Sequence, residues 1–325
     1  MPCPSRASQG CSSVNYLMTT IRIATRKSPL ALRQAEMVAE RLRNLHHGLR
    51  VELVPMRTKG DKLLGAPLTM VGGKGLFLKE LEHALIQQRA DIAVHSVKDV
   101  TVSLPEGLCM PVITSREDPR DALVSNRHAS LEALPDGARI GTSSLRRRCQ
   151  LNALRPGLEI INLRGGVHTR LKKLDAGDFD ALVLACAGLL RLGLEQRIAE
   201  RINPDRFVPA IGQGAIGIEL RRGDAEVEAL VAPLNDRESS LCVRAERAMN
   251  EALGGGCQVP IAGHAKLEEE TLSLVGVVSS IDGTELIRVS DTAPDSHPEA
   301  LGRRVADALN SRGAKRILEA VYAGA

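Results

Sequence analysis

The sequence predicts an α/β fold of two sheet-based lobes with an interleaved chain, followed by a smaller C-terminal α+β domain. Segments with strand character alternate with amphipathic helical segments in residues 21–96, and the alternation recurs in residues 138–185. Such alternation favours parallel sheets. One more strand-like segment, residues 215–220, follows the second block, and we expect it to return to the first lobe.

The first block begins with the strand-like segment IRIAT. Ser28 and Pro29 then form a helix N-cap pattern with proline at the first helical position, and an amphipathic helix continues until Gly48. Residues 60–75 are rich in glycine, which predicts a long mobile loop. The predicted elements are strand 21–25, helix 30–45, strand 51–56, helix 76–88 and strand 91–96.

The second block repeats this order, and the segment GTSS leads from a strand into a helix cap. In the last third, two helices precede three strands, with Asp282 and Gly283 as a hairpin turn, and two helices end the chain. The predicted domains are 1–17 (a disordered extension), 18–114 with 215–232 (first lobe), 115–214 (second lobe) and 233–325 (third domain, which contains Cys257).

Composition argues against several classes of protein. Hydrophobic residues make up 43% of the 325 residues, enough for a sizeable core, but aromatic residues make up only 2% and the net charge is only +4. Nucleic-acid binders usually carry a stronger basic footprint, and single-strand binders need aromatic rings for stacking. The seven cysteines show no zinc-site spacing. We therefore expect no nucleic acid, no metal, and free thiols in a reducing compartment.

Two further patterns concern location. No apolar run approaches the roughly 18 residues of a membrane span, so no membrane partner is expected. Residues 1–17 lack the apolar segment of a secretory signal, and Met18 is an alternative start. A transit peptide is the minor alternative.

A glycine motif at 212–217 matches G-x-G-x-x-G. The dinucleotide fingerprint requires a helix after the motif, whereas a strand is predicted here, so a hinge between the lobes is favoured.

Basic residues recur at predicted junctions between strands and helices. Ligands of open α/β sheets bind beyond the carboxyl ends of the strands, where helix N-termini add N–H donors and arginine binds carboxylate in bidentate fashion. One such arginine alone would be a solvated surface charge, but four strand ends in two lobes predict a ligand with several negative groups between the lobes. The residues are Arg26, Lys27, Arg146, Arg147, Arg148, Arg164, Arg170 and Arg191.

Asp99 is a lone carboxylate at a further strand end, beside Ser96 and Lys98. Nearby cations favour the ionised form of a carboxylate, which would repel an anionic ligand. Its expected function is therefore to stabilise positive charge or to transfer a proton. A helix cap or an ion pair with an arginine is the alternative.

Cys257 lies in the segment GGGCQVP, residues 254–260. Glycine lets the backbone approach other groups closely, and proline ends regular structure. The pattern indicates a thiol that is held on an accessible loop.

Collinear segments from about residue 21 onwards closely resemble the porphobilinogen deaminase family, among them RIATRKSPLAL, DIAVHSVKD, GTSSLRRR, LRGGVHTRL, PAIGQGAIGIE and GGGCQVPI. The resemblance implies a transferase of tetrapyrrole (haem) biosynthesis. Such an enzyme deaminates four porphobilinogen units and joins them head to tail into linear hydroxymethylbilane, releasing ammonia. It also implies a dipyrromethane cofactor bound through a thioether to Cys257.

The resemblance assigns further roles. Asp99 is the implied catalytic carboxylate, and Lys74 and Phe77 belong to a loop that closes over the site. The chain departs from the family at Gly166, where asparagine is common. The residues implied to bind cofactor or substrate are Arg26, Ser28, Ser96, Lys98, Thr142, Ser144, Arg146, Arg147, Arg164, Arg170, Arg191 and Gln213.

The resemblance further implies that the first two domains are similar to the lobes of periplasmic binding proteins. A non-catalytic anion-binding or sensor protein is therefore the rival function, but such a protein would need no thiol on a loop. We expect a cytoplasmic, monomeric enzyme with porphobilinogen as its substrate.

Overall fold

A computed structural model describes residues 19–58, 78–256 and 259–323. Several predictions therefore lie outside the described residues: the extension 1–17, the start at Met18, the mobile loop 60–75 with Lys74, the adjoining Phe77, and Cys257.

The strands are β1 (Thr20–Arg26), β2 (Arg50–Met56), β3 (Ile92–Ser96), β4 (Leu108–Ile113), β5 (Asp121–Val124), β6 (Arg139–Gly141), β7 (Glu159–Ile161), β8 (Ala181–Ala185), β9 (Glu200–Arg201), β10 (Ile216–Arg221), β11 (Ile261–Glu268), β12 (Thr271–Ser279) and β13 (Leu286–Pro294). The helices are α1 (Pro29–Leu45), α2 (Lys79–Ile86), α3 (Leu145–Leu154), α4 (Val167–Asp175), α5 (Cys186–Arg191), α6 (Ala225–Val231), α7 (Arg237–Ala252), α8 (Pro298–Ser311) and α9 (Ala314–Ala323).

The first lobe is built on a five-stranded sheet with the order β2-β1-β3-β10-β4. Strand β1 pairs in parallel with β2 and β3, because α1 and the segment containing α2 return the chain to the same end of the sheet. Successive side chains point to opposite faces of a strand. Ile23 accordingly packs in the core that includes α1, and Ala24 packs in the core that includes α2.

The second lobe has the same plan, with the strand order β7-β6-β8-β5-β9. Strand β6 lies parallel to β7 and β8, and α3 and α4 follow β6 and β7. Leu123 and Val183 belong to one buried cluster and Leu182 and Leu184 to another, so the sheet is covered on both faces.

The third domain is an antiparallel sheet of β11, β12 and β13 packed against α7, α8 and α9. Its core includes Met249 of α7, Leu274 of β12 and Leu309 of α8. The fold is thus two α/β lobes and a smaller α+β domain. The predicted return of the chain is confirmed, because β10 lies between β3 and β4 of the first lobe. The residue bounds of the domains stay a prediction.

The structure corrects the expectation of parallel sheets. Strand β10 is antiparallel to β3 and β4, and β5 is antiparallel to β8 and β9, since a chain that crosses between lobes can enter a sheet from its other end. Sequence reasoning missed β4, β5, β9 and α5. Strand β4 lies at the sheet edge and contains Pro111, β5 begins with the charged residue Asp121, and β9 and α5 are short.

Candidate functional site

The end of β3 carries the predicted carboxylate. After Ser96 the chain forms one short 3₁₀ turn, Val97–Asp99, and the N–H of Val97 donates to the carbonyl of Ala215 at 3.1 Å. Val97 is only 1% exposed and belongs to a buried cluster with Ala215 and Val243. The turn is therefore anchored by a buried side chain, and it presents Lys98 and Asp99 beyond the carboxyl end of the strand.

Lys98 lies among charges from both lobes. Its Nζ donates to Oε1 of Gln213 at 3.4 Å. Burial and the nearby Arg147 guanidinium lower the pKa of Lys98 to about 8, whereas Asp99 and Asp121 act in the opposite direction. The first lobe thus presents Lys98 to the arginines of the second.

Arg170 approaches the same group from α4. Its Nε donates to the carbonyl of Gly165 at 2.8 Å, which orients the guanidinium at the N-terminal end of the helix. Burial, followed by repulsion from Arg147, lowers the pKa of Arg170 to about 10, and Asp99 opposes this shift. Asp99 and Arg147 therefore act on both Lys98 and Arg170.

Arg146 and Arg147 share one buried carboxylate, that of Asp121 at the start of β5. Arg146 donates to Asp121 at 2.8 and 3.2 Å, and Arg147 donates at 2.9 and 2.7 Å. Burial alone would raise the pKa of Asp121, but the two guanidinium groups outweigh it and hold that pKa well below its usual range.

The two arginines differ in their other contacts. Arg146 donates to the carbonyl of Val208 and lies 5.7 Å from the ring centroid of Phe207, inside the second lobe. Arg147 donates to the carbonyl of Val183 and acts electrostatically on Lys98 and Arg170. Arg146 also acts electrostatically on Lys98, but less than Arg147 does, so Arg147 is the member of the pair that is coupled more strongly to the cleft.

Gln213 joins the lobes from the segment that precedes β10. Besides accepting from Lys98, its side chain donates to the carbonyl of Pro119 at 2.7 Å and to Asp121 at 3.2 Å. A strand and not a helix follows this glycine motif, which confirms that the dinucleotide fingerprint is not formed.

The predicted hydroxyl residues occupy caps and turns. Ser28 caps α1 and accepts from the N–H of Ala31 at 3.3 Å, as the Ser-Pro pattern predicted. Ser144 caps α3, and Thr142 accepts from the N–H of Ser144 at 3.3 Å. Ser96 hydrogen-bonds to the side chain of Gln34 on α1.

The remaining predicted arginines lie at three places. Arg26 is the last residue of β1, and Arg164 lies in the segment between β7 and α4, where it acts electrostatically on Arg170. Arg191 lines a cavity of about 250 Å³ with Arg41 and Glu117. It donates to the carbonyl of Gly214 at 2.6 Å, and burial lowers its pKa to about 10. Arg191 thus lies at the connection between the lobes.

Sequence reasoning missed two acidic residues that organise this site. Asp121 was not predicted as a site residue, and its only local signal is a charged residue at the start of the apolar run DALV. Glu246 of α7 is fully buried and accepts from Arg116 at 2.7 Å and from the N–H of Gly212 at 2.6 Å. Its position within an ordinary amphipathic helix gave no such signal.

The cleft fits a ligand that carries several carboxylates. Lys98, Arg146, Arg147 and Arg170 provide four cations, against the two carboxylates Asp99 and Asp121, which leaves an excess of two positive charges. These cations lower one another's pKa values, so added carboxylates would relieve repulsion. A dipyrromethane with acidic side chains satisfies that requirement.

The fold and this cleft define a two-lobed α/β protein that binds a polyanionic ligand where its strands end. A family model described as porphobilinogen deaminase, dipyrromethane cofactor binding domain, matches residues 21–229. A second, described as porphobilinogen deaminase, C-terminal domain, matches residues 240–311. The chain therefore belongs to the porphobilinogen deaminase family. It is a transferase of tetrapyrrole biosynthesis, a hydroxymethylbilane synthase that uses a dipyrromethane cofactor and takes porphobilinogen as substrate.

Solved structures with detectable likeness are more distant. A putative methionine-binding lipoprotein from Bacillus subtilis subsp. subtilis str. 168 is 14% identical with a TM-score of 0.43, covering 67% of this chain and 91% of its own. A periplasmic substrate-binding protein of an ABC transporter from Coxiella burnetii is 16% identical with a TM-score of 0.41, covering 66% and 91%. Among the described residues, no helix is long and apolar enough to cross a membrane.

Proposed function

We propose that porphobilinogen is deaminated and condensed in the cleft between the lobes, with Asp99 as the catalytic carboxylate and the dipyrromethane bound to Cys257. The observation that carries the proposal is the convergence of Asp99 and Lys98 from the first lobe with Arg147 and Arg170 from the second. One carboxylate within an excess of cations suits a substrate with anionic arms and a reacting centre that becomes positive.

The cations bind and orient the substrate. Porphobilinogen carries an acetate and a propionate arm, and hydrogen bonds from Arg170, Arg147 and Lys98 would hold these groups. Lys98 is protonated at neutral pH even with its lowered pKa of about 8, and a bound carboxylate would raise that pKa again. Arg26 and Arg164, at the ends of β1 and β7, would extend this set.

Asp99 acts on the reacting centre. Loss of ammonia from the aminomethyl group places positive charge on the pyrrole of the substrate. A carboxylate at the end of β3 stabilises that charge, and it can hold the pyrrole N–H or move a proton. The same carboxylate repels the acidic arms of the substrate, so its contribution belongs to the transition state more than to ground-state binding.

The cofactor loop, residues 254–260, is fixed on both sides of Cys257 by contacts within the third domain. When bound, the dipyrromethane supplies the free pyrrole position from which the chain grows. The N–H of Gly255 donates to the carbonyl of Asn250 at 2.8 Å, and any side chain at Gly255 would collide with the Asn250 side chain. Val259, on the far side of Cys257, is buried. Gly255 and Val259, on either side of Cys257, are thus both fixed in the third domain.

We also propose that the protein works as a monomer in the cytoplasm. Four cysteines among the described residues, Cys109, Cys149, Cys186 and Cys242, are free thiols, as expected in a reducing compartment. Light scattering of the purified protein tests the monomer, and a dimer mass would contradict it.

The activity is tested by incubating the purified chain with porphobilinogen. We expect release of ammonia and, after oxidation, porphyrin absorbance. Denatured mass spectrometry should show a mass above that of the chain, localised to the peptide containing Cys257. Cys257→Ser should lack the normal thioether and most of the activity, and Cys109→Ser is the control. An active enzyme with an unmodified Cys257 would overturn the attachment.

The role of Asp99 is tested with Asp99→Asn, which keeps the shape and removes the charge. We expect single-turnover rates to fall by at least about 10²-fold, the lower range for a positioned acid–base group. Substrate affinity and cofactor mass should change much less. A cofactor-loaded Asp99→Asn enzyme that runs near the wild-type rate would remove Asp99 from the mechanism.

A further inference from the structure

Helix α7 contacts both the turn that carries Asp99 and the loop that carries Cys257. Val243 belongs to the same small buried cluster as Val97 of the Asp99 turn. At the other end of the helix, the N–H of Gly254 donates to the carbonyl of Glu251 at 2.9 Å. One rigid element of the third domain therefore touches the two parts of the proposed reaction centre.

Arg247 provides the polar part of this contact. It lies one helical turn after Val243, on the same face of α7. Its Nη2 donates to the carbonyls of Thr101 at 2.9 Å and of Val102 at 2.8 Å, the second and third residues after Asp99. Hydrogen bonds from a guanidinium are among the strong ones, so the pair restrains the chain as it leaves the Asp99 turn.

Packing of side chains does not provide the restraint that the hydrogen bonds of Arg247 provide. A cavity of about 390 Å³ lies along the segment from Val102 to Met110, and Arg247 is part of its lining. Along this segment, therefore, a cavity takes the place of closely packed side chains. Without the guanidinium, the carbonyls of Thr101 and Val102 would lose their hydrogen bonds to Arg247, which lies more than a hundred residues away in sequence.

We propose that Arg247 is a positioning residue, which fixes the carboxylate of Asp99 relative to the cofactor loop by holding residues 101 and 102 to α7. The proposal rests on the catalytic role proposed above for Asp99. It assigns to the third domain a second task besides carrying the cofactor: α7 sets the spacing between cofactor and carboxylate.

The test uses Arg247→Met in the full-length, cofactor-loaded enzyme, since methionine keeps much of the apolar stem and loses the donors. Arg244→Met is the matched control, because Arg244 lies on the same helix but pairs with Glu299 of the third domain. Amide hydrogen exchange of a peptide covering residues 97–108 should become at least about tenfold faster in Arg247→Met and stay unchanged in Arg244→Met. Unchanged exchange in Arg247→Met would overturn the proposal.

Kinetics give the second measurement. A displacement of about 1 Å at a reacting group can cost about 10²-fold in rate, so we expect kcat of Arg247→Met to fall at least about tenfold, with KM and cofactor mass retained. Arg247→Lys, which keeps one donor and the charge, should recover part of the rate. It replaces the methionine variant in every measurement if that variant does not fold. Faster exchange with an unchanged kcat would also overturn the proposal.

A double-mutant cycle separates this proposal from the role of Asp99. If Arg247 acts through Asp99, Arg247→Met should slow the Asp99→Asn enzyme far less than it slows the wild type. Equal losses in both backgrounds would assign Arg247 a merely structural role. If Asp99→Asn alone runs at the wild-type rate, the proposed role of Asp99 fails. The exchange measurement still reports whether Arg247 holds residues 101 and 102 to α7.

Discussion

Replacing Asp121 by asparagine should destabilise the second lobe more than any surface charge replacement. Asp121 is 0% exposed, and it accepts two hydrogen bonds each from Arg146 and Arg147 and one from Gln213. The asparagine variant leaves two buried guanidinium groups without a counterion, and it turns an NH₂ group towards N–H donors.

The magnitude follows from this geometry. Removing one partner of a buried ion pair costs about 3–5 kcal/mol, because an uncompensated charge stays buried. The matched control is Asp175→Asn in the same lobe, where Asp175 is 49% exposed and pairs with Arg197. A surface pair of that kind is worth at most about 1 kcal/mol. We therefore expect the two variants to differ by at least about 2 kcal/mol.

Urea unfolding at pH 7, followed by circular dichroism, measures both free energies of unfolding. Denatured mass spectrometry should also show less cofactor in Asp121→Asn, because Arg147 loses the carboxylate that orients it. Equal free energies of unfolding for Asp121→Asn and Asp175→Asn would refute the reasoning that the buried carboxylate stabilises the arginine pair.

Three further predictions concern other parts of the chain. Burial would raise the pKa of Glu246, but Arg116 and His264 together outweigh it and lower that pKa from 4.5 to about 2. Glu246 should therefore contribute about 3 kcal/mol of stability above pH 4.5, lost as pH falls towards 2, and urea unfolding of Glu246→Gln should lack this dependence. Arg147→Leu should weaken retention of cofactor or substrate by roughly 1.5–3 kcal/mol per lost charged hydrogen bond, whereas unchanged kinetics with intact cofactor would remove Arg147 from the site. A chain that starts at Met18 should fold and keep full activity, because the family match begins at residue 21, and loss of activity would contradict this.

Local patterns in the sequence were sufficient for most of the helices and strands. The Ser28-Pro29 pair marks the start of α1, and the apolar segments at 21–25 and 91–96 become β1 and β3. These features depend on neighbours a few residues apart, so they can be recognised in the sequence alone. The family resemblance extended this to a function, because several long motifs occur in one collinear order.

The partners of the site residues could not be obtained in this way. Arg146 and Arg147 looked equivalent in the sequence, yet Arg146 packs beside Phe207 and Arg147 acts more strongly on Lys98. Asp121 showed no signal of its own strong enough to identify it as their shared counterion. The direction of β10 was likewise decided by where the returning chain enters the first sheet.

The physical reason lies in the distance over which each interaction acts. Helix periods and caps are set by contacts within one or two turns, which the sequence states directly. The ion pairs of Asp121, and the contact of Arg247 with residues 101 and 102, join segments separated by 25 to 146 positions. Such contacts exist only after hydrophobic burial has brought the sheets and α7 together, so their geometry is decided by tertiary packing.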